Sequence, residues 1–522
     1  MSSTTLDDDA KQVKNLGYKQ ELKRTHTTWS LFGLAFIVLN TWTALSASFS
    51  LALPWGGPSV VLWGLVVSGI CNGCLAASMA EFAGLYPTAA GQYYWVAIVS
   101  SQEWAPLLSW ICGWVNLVGW VFLTGMAASF ASTMIEGMAA MMNPTYVNQT
   151  WHTFLIYAGI ATLVFCVNAL GNSQLPLLNK TALVWSLVGF AIITMSALAS
   201  AAPNYLPASF VFGGVINKSE WPTGLAWTIG LLQGTLSLIG YDAPAHLCEE
   251  IINPSKNVPR VMIGSVIIGT ISGFCLCMAL LFVSPEIESV LAAPEGALLH
   301  ILTSATGSQQ GAITLNTFPT LCLILGTTAI MTTASRLMWA FARDGGLPFS
   351  PWLAHVHTGL GIPLNALVVT YVVVLIYGLL FFAGAAALNA LVSASIVSLG
   401  ISYAFPTFVN MCGGRRRLPK NRPFRMPEPV AWVVNFIGVA FVAVTTVLFC
   451  LPPGGPTVTK QTMNYTVLAL GIVVIIAVGD YFLDGKRRFK GPRLPVFDDE
   501  DLERLQDVGV FGGKPSVDVR MA

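Results

Sequence analysis

One carboxylate stands apart in this sequence. Asp242 lies in the run Gly240-Tyr241-Asp242-Ala243-Pro244, in the middle to inner part of an apolar stretch, whereas the other Asp and Glu residues sit near the predicted end of such a stretch or in a loop. A charge buried at that depth is costly and marks by default a site for a substrate, an ion or a proton. Gly and Pro beside it kink or unwind a helix, and Asp is also a residue type that caps the half-helix after such a break. His246 follows one helical turn later, where an imidazole serves either as a structural hydrogen-bonding group or as a proton relay. A second polar interruption, Asn40-Thr41-Trp42-Thr43-Ala44 with Ser46 and Ser48 beyond it, occupies the centre of the first apolar stretch. Trp42 and Tyr241 offer aromatic faces that suit a cationic head group, or else they pack between helices. Glu81, Glu249, Glu250 and Arg336 lie closer to the ends of their stretches and are candidates for a charged gate, for coupling or for interfacial anchoring. Glu136, near the outer end of its stretch, is expected to reach the lipid headgroups.

The elements that must position these residues are membrane helices. Of 522 residues 54% are hydrophobic and 10% charged, and the mean hydropathy is +0.67. Soluble domains carry about 25% charged residues, so a soluble enzyme, a disordered chain and a disulfide framework are all excluded. The net charge of +1 gives no reason to expect nucleic acid. The ten Cys fall almost wholly within apolar runs and read as small buried hydrophobes rather than metal ligands. Stretches long enough to cross a bilayer fall near 29–51, 58–82, 106–134, 152–171, 182–202, 225–247, 261–283, 315–341, 364–384, 386–410, 430–451 and 464–484, which predicts a twelve-helix bundle. No apolar segment follows a basic one before residue 29, so span 1 is expected to act as its own insertion signal.

With the N-terminus in the cytosol, the outside loops hold only Lys218 and Lys460 of the 26 Lys and Arg. That asymmetry places both termini in the cytosol. Three Asn-x-Ser/Thr sequons, at Asn148, Asn217 and Asn464, then fall outside as glycosylation candidates, and a fourth at Asn179 falls inside. Spans 1 and 6 are each the first helix of a five-helix set, and each is interrupted. Matched breaks in two inverted halves are a feature of secondary transporters. The chain therefore divides into a tail (1–28), a first repeat (29–202), a second repeat with its outer loops (203–410), spans 11 and 12 with the basic loop before them (411–484), and a second tail (485–522).

Longer motifs strengthen this reading. They are Ala80-Glu81-Phe82-Ala83 with Tyr86-Pro87-Thr88-Ala89-Ala90-Gly91-Gln92-Tyr93-Tyr94-Trp95, Gly240-Tyr241-Asp242 with Glu249-Glu250, and Asn253-Pro254-Ser255-Lys256-Asn257-Val258-Pro259. Ser335-Arg336-Leu337, Ala340 to Pro348, Pro363-Leu364-Asn365-Ala366 and Met463-Asn464-Tyr465 follow. Together they resemble the amino acid–polyamine–organocation superfamily, in its fungal amino acid/choline/GABA permease branch, from about Trp29 to Pro492. The resemblance implies a leucine-transporter-type five-plus-five inverted repeat with two added helices. It also implies a substrate at mid-membrane between broken spans 1 and 6, lined by Asn40 to Ala44 and Gly240 to Ala243. Some proton-coupled relatives place a Lys inside span 5; here Lys180 stands just before it and the span has none.

The expected function is secondary active transport of a small amino acid, a GABA-like zwitterion, choline or a related amine by alternating access. Protons are the expected coupling ion, and the expected site is a plasma membrane. The partners are thus a small molecule, protons and the bilayer, with no cofactor and no metal; oligomeric state is left open. No His-Glu-x-x-His or P-loop pattern supports an enzyme or an ATP-driven pump. A non-transporting nutrient receptor and an exporter of a small amine metabolite are the alternatives, the first weakened by short tails.

Overall fold

The computed structural model describes residues 13–493 except 23, 25, 26, 144, 453 and 460–462. Parts of both expected tails and the outside Lys460 therefore lie beyond the described residues. Apart from isolated bridge residues (His357 with Ile362, and Ile251), the described chain is all helix and loop.

Eleven described helices are long and apolar enough to cross a membrane. They coincide with the expected spans except at 225–247. That span is in pieces, Thr223–Ile229, Leu231–Leu236 and Ala243–His246, and no piece meets the length needed. The eleven long helices plus this fragmented one account for the twelve stretches in the sequence. Its break has a local cause: Gly240 adopts φ +98°, and Pro244 stands in the first turn of the short helix beyond. Span 1 is also split, into Thr28–Leu39 and Thr41–Ala47, by Asn40 at φ 30°. Asn is one of the few residues with a side chain that enters the left-handed region readily.

Span 1 is the centre of the bundle, with 83% of its apolar window buried, and span 12 is the periphery, with 11%. Span 3 (Ala105–Met142) packs along both span 8 (Gln309–Arg343) and span 10 (Ala385–Cys412), and span 2 (Leu65–Leu85) packs along span 7 (Pro254–Phe282). Between spans 2 and 3 a short helix, Gln92–Val99, runs buried beneath the bundle, and another, Ala297–Thr306, lies in what the sequence suggested was plain loop.

Glu136 does not reach headgroups. It is 4% exposed, and Thr153 of span 4 donates to its Oε2 at 2.7 Å. A second helix covers it, which its position near a span end could not reveal.

The two ends of the described chain meet. Arg488 Nε donates to the Gly345 carbonyl at 2.7 Å, and Tyr18 donates to Asp344 at 2.9 Å. We call this the tail end of the bundle.

Candidate functional site

The two breaks face one another. Gly240 lies against span 1, where a Cβ on it would stand 2.9 Å from Val38. Beside them is a small cavity of about 40 Å³, lined from span 1 by Val38, Asn40 and Ala44, from span 3 by Met126 and Phe130, from span 6 by Ile239 and from span 8 by Cys322. Ligand pockets usually measure roughly 300–1,000 Å³, so the centre is contracted here and must widen to hold even a small solute. The Asn40 amide nitrogen and the hydroxyls of Thr41 and Thr43 are buried without a hydrogen-bond partner. Such groups cost about 1–3 kcal/mol each; Asn40 lines the cavity, so a polar ligand there would relieve its cost, whereas Thr41 and Thr43 do not line it and the Thr41 hydroxyl faces Gly269 of span 7. A much larger groove of about 1,320 Å³ opens sideways among spans 3, 8, 9, 10 and 12, but no charged side chain lines it and its walls, such as Val121, Phe122 and Ile472, are apolar.

Trp42 is fully buried away from this cavity. Its indole donates to Ser186 of span 5 at 2.8 Å, its ring meets Phe190 edge-on, and Ser186 in turn donates to Asn40 Oδ1 at 3.0 Å. Span 1 is thus tied to span 5 through both Trp42 and Asn40.

Asp242 is fully buried and fully engaged. Gln92 Nε2 donates to its Oδ2 at 2.6 Å and the Trp120 indole at 3.2 Å, His246 Nε2 lies 3.0 Å from the same oxygen, and Tyr403 donates to Oδ1 at 2.5 Å. The Gly240 amide donates to the Tyr403 oxygen at 3.1 Å, so the carboxylate is linked directly to the span 6 break. Asn116 Nδ2 donates to Gln92 Oε1 at 2.9 Å, and Ser402 donates to Asn116 Oδ1 at 3.3 Å. One network therefore joins spans 3, 6 and 10 and the helix after span 2. Asp242 makes no N-cap hydrogen bond to the helix behind it. Tyr241, against Tyr403 at 4.9 Å between ring centroids, has a buried hydroxyl without a partner.

The remaining charged candidates pair at the tail end. Arg336 Nε donates to Glu250 at 2.6 Å and a terminal nitrogen of the same guanidinium to Asn172 Oδ1 at 3.0 Å, while both terminal nitrogens of Arg343 bind Glu249, at 2.9 and 3.1 Å. Spans 6 and 8 are thus tied by two ion pairs. Glu81 belongs to a separate cluster: Arg415 and Arg422 of the basic loop before span 11 bind it at 2.8 and 2.6 Å.

Sequence reasoning missed the lid over this end. Val13, Leu16, Tyr18 and Leu22 are buried, and the Arg343 guanidinium lies between the rings of Tyr18 and Trp339, at 4.1 and 4.4 Å. Gln20 donates to the Glu249 carbonyl at 2.8 Å, and Arg24 donates to the Ile251 carbonyl. Asp344, just past the end of span 8, accepts from both Tyr18 and Tyr93. Burial pushes its carboxyl up to about 6 from 3.8, against the opposing pull of Arg343 and the two hydroxyls.

At the opposite end Asn148 is exposed. Asn217 and Asn464 spend their amide nitrogens on the carbonyls of Trp221 and of Phe449 and Leu451, leaving neither nitrogen free as the chain is folded.

A polytopic helical bundle in which two broken helices meet at a polar centre is an architecture that membrane transport proteins use. Residues 27–478 match the family model described as amino acid permease, and the chain belongs to that family, within the amino acid–polyamine–organocation superfamily. It is 34% identical over 448 residues to a Macrophomina phaseolina protein provisionally named as an amino acid/polyamine transporter, covering 84% of this chain and 96% of that one. It is 29% identical over 492 residues to the choline transporter of Saccharomyces cerevisiae (93% and 86% covered), and 30% over 502 residues to an amino-acid permease BAT1 homolog of Oryza sativa subsp. japonica (92% and 95%). The family is one of permeases, not enzymes.

Proposed function

We propose that this chain is a proton-coupled secondary active transporter of a small zwitterion or amine, an amino acid, a GABA-like compound, choline or a relative of these. What supports the reading is the meeting of two helix breaks, at Asn40 and Gly240, beside a small cavity lined by Asn40 with its unpartnered amide nitrogen. Exposed ends of half-helices present free N–H and C=O groups, which suit the carboxylate and ammonium ends of a zwitterion. Asp242 is expected to act on the substrate through its field rather than by contact, because donors already fill its oxygens.

Alternating access requires one end to seal while the other opens. In this reading the tail end faces the cytosol of a plasma membrane and is sealed here. The Glu249–Arg343 and Glu250–Arg336 pairs form its gate, and Glu81 anchors the basic loop outside that gate.

The test is uptake into proteoliposomes with a labelled panel of choline, GABA, polyamines and amino acids. At least one compound should accumulate under an imposed inward proton gradient, and a protonophore should collapse that accumulation. Sodium-driven accumulation, or equilibration under every gradient, would overturn proton coupling. A panel that binds and never crosses would favour a receptor.

A further inference from the structure

The loop between spans 10 and 11 carries more positive charge than its own acidic residues can balance. Residues 411–427 hold Arg415, Arg416, Arg417, Lys420, Arg422 and Arg425 and contain no Asp or Glu. Two of these cations turn inward. Glu81, buried near the end of span 2, accepts from Arg415 through Oε2 at 2.8 Å, and through Oε1 from Arg422 at 2.6 Å and from the Met426 amide at 3.0 Å. Arg415 also donates to Glu428 at 2.9 Å, and Arg422 to the Pro419 carbonyl at 2.9 Å. A single carboxylate thus gathers the loop at three points and fixes its course. The remaining cations, Arg416, Arg417, Lys420 and Arg425, are exposed and form no ion pair among the described residues.

The basic surface continues onto span 7. A Cβ on Gly84, at the end of span 2, would stand 3.4 Å from the Ser255 carbonyl oxygen, 3.5 Å from Pro259 Cγ and 3.7 Å from the Phe424 amide nitrogen. The loop and the start of span 7 therefore converge on one point. Lys256 and Arg260, on those first turns of span 7, are exposed as well, and no acidic residue lies between Asn253 and Val261. Below the loop, Phe408 of span 10 and Val433 and Phe436 of span 11 are exposed apolar side chains, which in a bilayer meet acyl chains. The cations thus stand where two lipid-facing helices leave the hydrocarbon, at the depth of the headgroups.

We propose that this surface is a binding site for anionic phospholipids of the leaflet at the tail end, held in place by the Glu81 cluster. Like charges crowded on one face repel, and an anionic leaflet supplies the counter-charge that the protein lacks there. Each Lys or Arg near such a leaflet strengthens the attraction roughly fivefold. Arg guanidinium groups also grip phosphate oxygens in pairs, whereas Lys420 and Lys256 act as point charges. Because Glu81 already orders the loop, little conformational freedom is lost when headgroups bind. The exposed cations follow one another along a rim that borders lipid, which suits several headgroups better than a single soluble phosphate. The site is independent of whatever solute the bundle carries.

The experiment is spin-label spectroscopy of the full chain in phosphatidylcholine vesicles. A trace of phosphatidylserine or of phosphatidylcholine carries the label on its acyl chain, and the motionally restricted fraction of each gives the protein's preference between them. At about 0.05 M salt the wild-type chain should favour phosphatidylserine at least about twofold, and the preference should vanish near about 0.5 M, where charges are screened. Combining Arg416→Gln, Arg417→Gln, Lys420→Gln and Arg425→Gln should remove about two thirds of the preference, and Lys256→Gln with Arg260→Gln about one third. The second pair decides the matter if the first set does not fold. A control set that removes the same charge elsewhere, Lys180→Gln, Lys486→Gln, Arg487→Gln and Lys490→Gln, all exposed, should keep the preference. Equal loss in the control set would assign the effect to net charge and overturn the proposal, as would the absence of any preference in the wild-type chain. Displacement of the labelled lipid by soluble glycerophosphoserine would indicate a phosphate pocket and overturn the lipid assignment. The measurement uses neither solute nor gradient, so its failure leaves the transport reading untouched, and failure of the uptake assay leaves this site untouched.

Discussion

At the scale of single residues, the chemistry of Asp242 follows from how many donors surround it. Replacing it with Asn removes the charge and one acceptor oxygen from a site where Gln92, Trp120 and Tyr403 all donate, so at least one of these bonds weakens or rearranges. Asp242→Asn should abolish accumulation and also lower stability by about 1–3 kcal/mol, measured as a drop in thermal midpoint in detergent. Wild-type accumulation in this variant would reduce the carboxylate to a packing role. Trp42 belongs to the opposite category. Because its indole binds Ser186 and its ring packs on Phe190, Trp42→Phe should cost about 1 kcal/mol of stability and shift KM equally for charged and uncharged substrates. A selective rise for cationic substrates would return Trp42 to the binding site. Asp344 gives a pH effect with a definite sign. Its carboxyl is raised to about 6 in the sealed state, so the sealed state binds a proton more tightly than one with Asp344 in water. Sealing is therefore favoured as pH at the tail end falls below about 6; the advantage reaches about 3 kcal/mol only near the free value of 3.8 and is lost as pH rises through about 6. Asp344→Asn should flatten this dependence in an accessibility assay at the tail end.

At the scale of elements, the breaks decide what the helices can do, and they were readable in the sequence. Asn40 among Thr and Ser, and Gly240 with Pro244, are residues that helices tolerate poorly in their interiors, and both proved to be where the helices part. What surrounds Asp242 was not readable in the same way. Gln92, Asn116, Trp120 and Tyr403 come from three other elements, as far as 161 positions away, and no periodicity links them. Gln92 did stand inside a motif, Gly91-Gln92-Tyr93-Tyr94, that marked the family without revealing its partner. The break at Asn40 allows its backbone and its side chain to be tested apart. Glycine tolerates φ 30° at least as well, so Asn40→Gly should keep the fold and lose the amide. Substrate affinity should fall roughly tenfold, as for one hydrogen bond of about 1.4 kcal/mol. Unchanged affinity would place the polar contact elsewhere.

At the scale of the whole molecule, one end of the bundle is closed in layers. Ion pairs join span 6 to span 8, and residues 13–22 lie over them with Tyr18 against Arg343. This lid escaped the sequence because a polar stretch with four scattered apolar residues has no periodic face to recognise. Tyr18→Ala should remove a ring–guanidinium contact and a hydrogen bond, together about 1–3 kcal/mol. Cys248, fully buried beneath this layer, should then react with a membrane-impermeant thiol reagent on the order of tenfold faster from that side. No change in rate would mean that the ion pairs alone hold the end shut.

The same contact has a consequence for how the protein is made. Tyr18 leaves the ribosome early, but its partner Asp344 follows 326 positions later. At roughly 5–20 residues per second, the lid segment waits about 15–65 s for its seat to be synthesised. Throughout that interval the spans already in the membrane lack their closure. A chain stalled before span 8 would expose Tyr18 and an incomplete polar centre together, a combination that a quality-control protease could distinguish from the finished protein.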